Sequence, residues 1–219
     1  MKKILIILIF IILFLPSSYA KLSYEPEINA DIMEVLRENN TIIFRNNVKV
    51  LYANNILTAD LLIKNEKDKI IDAENNVKIY YNVSEGEKLN LVSNSAKYFI
   101  SEKKTLLWGN SYMLYSSTTI PEIKISAEKI TIDENTKNAV FEDKVIISQG
   151  KNSAKSELAV YDYTTKKIIL STKNNINPYV EYMNDYKINF EAGKITIFPD
   201  KGNFLFEDKV FGRISPIKK

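Results

Sequence analysis

The sequence predicts an all-β fold of two antiparallel sheets built from about six hairpin-like repeats, and three observations predict it. The first is internal repetition. The clearest unit spans residues 59–79. Thr58-Ala59-Asp60 opens it, an alternating apolar run follows, and Asn65-Glu66-Lys67-Asp68 makes a polar turn. A second apolar run then ends in the polar step Asn75-Asn76 before Val77. The same order recurs from Ala30, Ala96, Ala127, Ala154 and Ala192. Four copies keep an Ala-to-Val spacing of 18 residues: Ala30 to Val48, Ala59 to Val77, Ala127 to Val145 and Ala192 to Val210. Self-similarity at a fixed period marks a repeat architecture. The second observation is composition. Ile, Val, Phe, Tyr and Thr are abundant in short runs separated by Asn, Asp, Lys and Gly clusters, and no stretch carries a sustained helical stripe with caps.

The third observation is parity. Side chains alternate faces along a strand. Phe44, Val48 and Val50 fall on one face, as do Ala73, Val77 and Ile79; Phe141, Val145 and Ile147; and Phe206 and Val210. Trp108, with Tyr112 and Leu114, joins this set after a local adjustment. The opposite parity carries Arg45 and Lys49, Glu74 and Lys78, Glu142 and Lys144, and Glu207 and Lys209. One apolar and one charged face fit antiparallel sheets wetted on one side.

Taken in order, residues 21–27 are a polar lead-in, and strands are expected from Ile28 onward. Residues 31–37 sit at the strand position of their repeat and are read as a strand. Polar hairpin turns are expected at residues 65–68, 101–104, 133–138, 164–167 and 199–202. The steps Asn46-Asn47, Asn75-Asn76, Asp143-Lys144 and Asp208-Lys209 interrupt each second run. Asn and Asp tolerate left-handed backbone, so these are candidate bulges or corners where a strand passes between sheets. Residues 81–88 and 116–122 read as longer loops. Residues 176–185 are the most irregular, and Pro178 argues against a central strand there. About twelve strands divided over two sheets, at ~4.8 Å per strand, make a slab roughly 29 Å along the stacking direction, open at both ends.

The bulk properties narrow the function. The 219 residues are 45% hydrophobic with formal net charge +3, and contain neither Cys nor His. Disulfides, thiol nucleophiles and Cys- or His-based metal sites are excluded, and the commonest general base is missing. No metal, cofactor or enzymatic activity is expected. Asp31, Asp60 and Glu128 follow the repeat Ala periodically, unlike a singular catalytic pair, and read as turn or solvated-face residues. At the N-terminus, Lys2-Lys3 precedes the apolar run of residues 4–15, and Ser18 and Ala20 precede Lys21. This is the pattern of a secretory signal peptide over residues 1–20, cleaved after Ala20; an uncleaved anchor is the rival. Cleavage removes Lys2 and Lys3 and no acid, so the net charge falls from +3 to +1. A nearly neutral chain without a basic tract offers no electrostatic reason to bind nucleic acid.

Glu27-Ile28-Asn29-Ala30-Asp31, Ile43-Phe44-Arg45-Asn46-Asn47-Val48-Lys49-Val50, Leu57-Thr58-Ala59-Asp60 and Ile71-Asp72-Ala73-Glu74-Asn75-Asn76-Val77 together resemble the OstA/LptA family of lipopolysaccharide-transport proteins. That family usually reads Gly-Asn-Val at the step, whereas here only Gly109-Asn110 keeps the Gly. The resemblance implies a single domain over residues 21–219: a twisted, open β-jellyroll whose two sheets part like a V. It also implies a periplasmic bridge, with acyl chains of lipopolysaccharide held in an apolar groove. The groove set is Phe44, Val48, Val50, Ala73, Val77, Ile79, Trp108, Phe141, Val145, Ile147, Phe206 and Val210. The implied partners are lipopolysaccharide or a related lipid, and the chain itself or other OstA-fold components, joined through edge strands. Two alternatives stay open: a membrane-anchored LptC-like relative, and a structural β-repeat envelope protein without lipid, whose apolar face is a dry sandwich core.

Overall fold

The computed structural model describes residues 26–52, 55–183 and 186–216. The segment read as a signal peptide lies outside these residues. The described chain is all β apart from turns and two short 3-10 segments. Its sixteen strands are β1 (Glu27–Asn29), β2 (Ile32–Leu36), β3 (Thr41–Tyr52), β4 (Asn55–Asn65), β5 (Ile70–Ser84), β6 (Glu87–Phe99), β7 (Lys104–Ser117), β8 (Ile123–Asp133), β9 (Asn138–Gln149), β10 (Asn152–Asp162), β11 (Lys167–Ser171), β12 (Tyr179–Met183), β13 (Tyr186–Glu191), β14 (Lys194–Phe198), β15 (Asn203–Glu207) and β16 (Phe211–Pro216). All pair antiparallel within one hydrogen-bonded sheet that does not close on itself.

The register shows how one sheet becomes two leaves. Val48 pairs with Ala59 and Arg45 with Leu61, so Asn46-Asn47 oppose Asp60 alone. The same two-against-one break recurs at Asn75-Asn76, Gly109-Asn110 and Asp143-Lys144. Both residues of each pair have positive φ, between 51° and 79°. Two consecutive left-handed residues bend the strand sharply without changing which face points inward. Asn174-Asn175 and Asp208-Lys209 are left-handed pairs as well, and lie between β11 and β12 and between β15 and β16. The breaks align across the sheet and fold it into a first leaf (β2, β11, β14, β15 and the matching halves of β3 to β10) and a second leaf (β1, β12, β13, β16 and the other halves).

The twelve expected strands appear as twelve crossings, four of which are broken in two to give the sixteen strands, and their division over the leaves also differs. Each of the twelve crossings contributes to both leaves, because the bulges let one strand serve twice. The slab is therefore about twice as long as the expected 29 Å. Two loop expectations also change. β5 runs to Ser84 and β6 starts at Glu87, so most of residues 81–88 are strand. Pro178 sits in the break between β11 and β12, where its carbonyl accepts from the Ala192 N–H and its missing donor costs no ladder bond. The irregular fifth unit thus completes both leaves.

With no helix among the described residues to cover the inner face, full burial there requires the leaves to cover each other. Leu91, Leu107, Ile125, Ile130, Phe141, Leu170 and Ile195 are fully buried and belong to one core cluster drawn from both leaves. Tyr115 on the second leaf and Tyr161 on the first have ring centroids 6.2 Å apart, although β8 and β9 separate their strands in the sheet. A smaller cluster of Phe44, Val48 and Leu62 continues the core toward β1 and β2.

Candidate ligand interior and edges

The row of bulges forms the closed spine of the interior. On one side of each left-handed pair lies a single residue of the neighbouring crossing: Asp31, Asp60, Asn94, Glu128, Glu157 or Gly193. The carboxylates are tied to the second residue of a pair. Asn47 donates to Asp31 at 2.8 Å, Asn76 to Asp60 at 2.7 Å, and the Lys144 ammonium to Glu128 at 2.8 Å, each across 16 residues. The periodic acids therefore clamp the fold line. Gly193 occupies the equivalent place because a Cβ there would lie 2.8 Å from the Asp208 Cβ and 3.1 Å from the Asp208 carbonyl oxygen.

The bulge row also corrects the repeat alignment. The residue two before five of the six pairs faces inward: Phe44, Ala73, Leu107, Phe141 and Phe206. In the third unit that residue is Leu107, which is fully buried, and not Trp108, which is 39% exposed on the outer surface. Trp108 leaves the inward set because Gly109-Asn110 fixes the parity one residue earlier. Tyr112 and Leu114 share its outer face, while Ser111, Met113 and Tyr115 are inside. By the same rule the small residues of the third and fifth units are Ser93 and Ser156, not Ala96 and Ala154. Both serines are buried and return their hydroxyls to the backbone, Ser93 to the Ser95 carbonyl at 2.9 Å and Ser156 to the Leu158 carbonyl at 2.8 Å.

The other inward residues separate by position along the slab. Phe44 and Val48 are buried in the smaller cluster, with Val50 packed against it. Ala73, Val77, Ile79, Phe141, Val145 and Ile147 lie in the main core, and Phe206 packs on its end. Val210, in the last crossing, is 48% exposed because no strand lies beyond it. Outside, cross-strand ion pairs coat the first leaf: Lys97–Asp72 at 3.0 Å, Lys129–Glu142 at 2.8 Å and Lys194–Glu207 at 2.8 Å.

Opposite the spine, the far tips of the leaves meet through side chains. Lys166, in the turn after β10, pairs with Glu87 at the start of β6. Tyr115 reaches both of these groups, and Tyr161 stacks edge-on against Tyr163 at 5.0 Å. Burial pushes the Tyr81 phenol up to about 12, with the Glu134 carboxylate adding to the rise. Burial also raises Tyr161 and Tyr163. The Tyr163 hydroxyl and the Ser111 hydroxyl are buried without a hydrogen-bond partner. Parity reasoning identified the interior but missed these tip tyrosines; their signal was the placement of Tyr81, Tyr115, Tyr161 and Tyr163 at the ends of inward-facing runs.

At the two ends of the slab, apolar residues are uncovered. Met33 and Val35 on β2 are 63% and 51% exposed, and Phe211 and Ile214 on β16 are 79% and 60% exposed. β1/β2 and β15/β16 each leave one backbone edge unpaired among the described residues.

No family model matches the chain, and no curated protein matches it. Among solved structures it is similar to the crystal structure of LptH from Pseudomonas aeruginosa, described as the LptA-homologous periplasmic component of the conserved lipopolysaccharide transport device. The two are 14% identical; the match covers 74% of this chain and 95% of that one, with a TM-score of 0.36. At that identity and score the likeness does not bear on what this chain does.

Proposed function

We propose that this chain is a non-enzymatic lipid-binding bridge of the bacterial envelope. It shields the acyl chains of lipopolysaccharide or a related lipid between its two leaves and assembles head to tail through its edge strands in the periplasm. One observation carries this reading: an open, two-leaved sheet whose inner face is lined mainly by apolar side chains along its length and whose edges are both unpaired among the described residues. A soluble protein normally blunts such edges. Here both display inward-facing apolar side chains, Met33 and Val35 at one end and Ile214 at the other. Joining them by strand addition would continue both the ladder and the core. Charge supports the polarity of the joint. The β1–β2 edge carries Glu27, Asp31 and Glu34, whereas β15–β16 balances Glu207 and Asp208 against Lys209 and Arg213. Two acidic edges repel each other, and an acidic edge against a balanced one does not.

The thermodynamic reason for such a carrier is simple. Withdrawing a ~14-carbon acyl chain from water is worth on the order of 10 kcal/mol, at ~0.8 kcal/mol per CH₂. A lipid with several such chains needs a continuous apolar path through an aqueous compartment. The test is to purify the mature chain and measure lipopolysaccharide binding and self-association together. Retention of lipid with concentration-dependent oligomers supports the bridge; absence of both overturns it. The complete burial of the central interior favours a second reading, a structural β-repeat protein that polymerises without lipid, and polymerisation without lipid uptake would establish it.

A further inference from the structure

Resting on the lipid-carrier reading above, we propose that the interior opens along one line only, the tip seam of Tyr81, Tyr115, Tyr161, Tyr163 and the Glu87–Lys166 pair, and that acyl chains enter there. The boundaries of the interior differ in what holds them. Along the spine every crossing passes covalently from leaf to leaf, and the bulged strands stay hydrogen-bonded to their neighbours on both sides. Parting any two strands breaks a run of backbone hydrogen bonds, left without partners in an apolar setting. The slab ends expose inward-facing Met33, Val35 and Ile214, which the head-to-tail contact of the carrier reading covers. At the seam the leaves meet by side chains: the Glu87–Lys166 pair and the Tyr115–Tyr161 contact at 6.2 Å.

Those contacts are the kind that exchange easily. Lys166 keeps 37% of its side chain exposed, so the ammonium half of this ion pair stays within reach of water. Phenol rings present an apolar body and a polar tip, which suits a surface alternately facing its twin and an acyl chain. The seam also holds an unused hydrogen-bond donor. The Tyr163 hydroxyl is buried at this seam with no hydrogen-bond partner. Ester carbonyls accept hydrogen bonds, so an acyl ester satisfies a group that the closed seam leaves unpaired.

The chain has no cysteine, so two introduced thiols are unique. Glu87→Cys with Lys166→Cys, joined by a short bismaleimide linker, fastens the tips. The control is the same variant capped with a monofunctional maleimide. The probe is cis-parinaric acid, whose fluorescence rises in an apolar site, with circular dichroism and self-association checked in parallel. The capped protein should bind the probe and the linked protein should lose at least tenfold in uptake rate, with sheet content and self-association unchanged. Separately, Glu87→Ala with Lys166→Ala should speed uptake severalfold. Equal uptake by linked and capped protein overturns the seam and leaves the carrier reading standing. No probe binding by the unmodified chain overturns the carrier reading, and the seam with it.

Discussion

Asn76 is the sharpest place to test the fold line. It lies in a central crossing with φ 55°, directly after Asn75 at φ 61°, and its amide donates to Asp60 at 2.7 Å. Two contributions can be separated by substitution. Left-handed backbone costs an ordinary L-residue roughly 1–2 kcal/mol, more for a β-branched one and essentially nothing for Gly. The exposed hydrogen bond to Asp60 is worth about 0.5–1 kcal/mol. Asn76→Gly removes only the bond and should cost under ~1 kcal/mol. Asn76→Val removes the bond and strains the backbone, and should cost about 2–3 kcal/mol. For a chain of this size that corresponds to roughly 4–12 °C in Tm. Urea unfolding followed by circular dichroism, with m unchanged, reads the difference. If Asn76→Val is no more destabilising than Asn76→Gly, the left-handed pairs do not set the bend and the account of the two leaves is wrong.

Other expectations can be checked in the same assay. Leu107→Ala should cost about 2–5 kcal/mol and Trp108→Ala under ~1 kcal/mol; the reverse order would restore Trp108 to the inner face. Ser111 holds the place taken by Val48, Val77 and Val145 in other units, with a buried, unpaired hydroxyl, so Ser111→Val should stabilise by about 1 kcal/mol or more. Tyr81 is neutral when folded, and its pKa rises from 10.0 to about 12. Its contribution is present below pH 10 and is lost as pH rises through 12, roughly 2–3 kcal/mol in all. Alkaline unfolding curves should therefore steepen above pH 10, and Tyr81→Phe should flatten that segment.

Much of this architecture was legible because the repeat states it several times. The turns after Asn65, Asp133 and Pro199, the twelve crossings and the left-handed steps all follow from residue types whose backbone preferences are strong. Two things were hidden. At Ser93-Asn94 the repeat carries Ser-Asn in place of Ala-acid, so the nearby Ala96 mimics the repeat position and the expected third unit shifts by enough to turn Trp108 inward. The bulge geometry, not the side-chain chemistry, carries the true register there. The tip seam was hidden for a different reason. Glu87 and Lys166 are 79 residues apart, and only the folding of the sheet along its bulges brings them together.

The central claim is that the inner faces of the leaves receive lipid. The most direct measurement places a photoreactive residue singly at Phe44, Val77, Phe141 and Val145, with Lys49 and Lys78 as outward controls, in cells exporting the protein. Illumination should give lipid adducts at the inward set and none at the controls. Adducts at neither set, with the sheet intact by circular dichroism, would contradict the account and leave a packed sandwich that assembles through its edges alone.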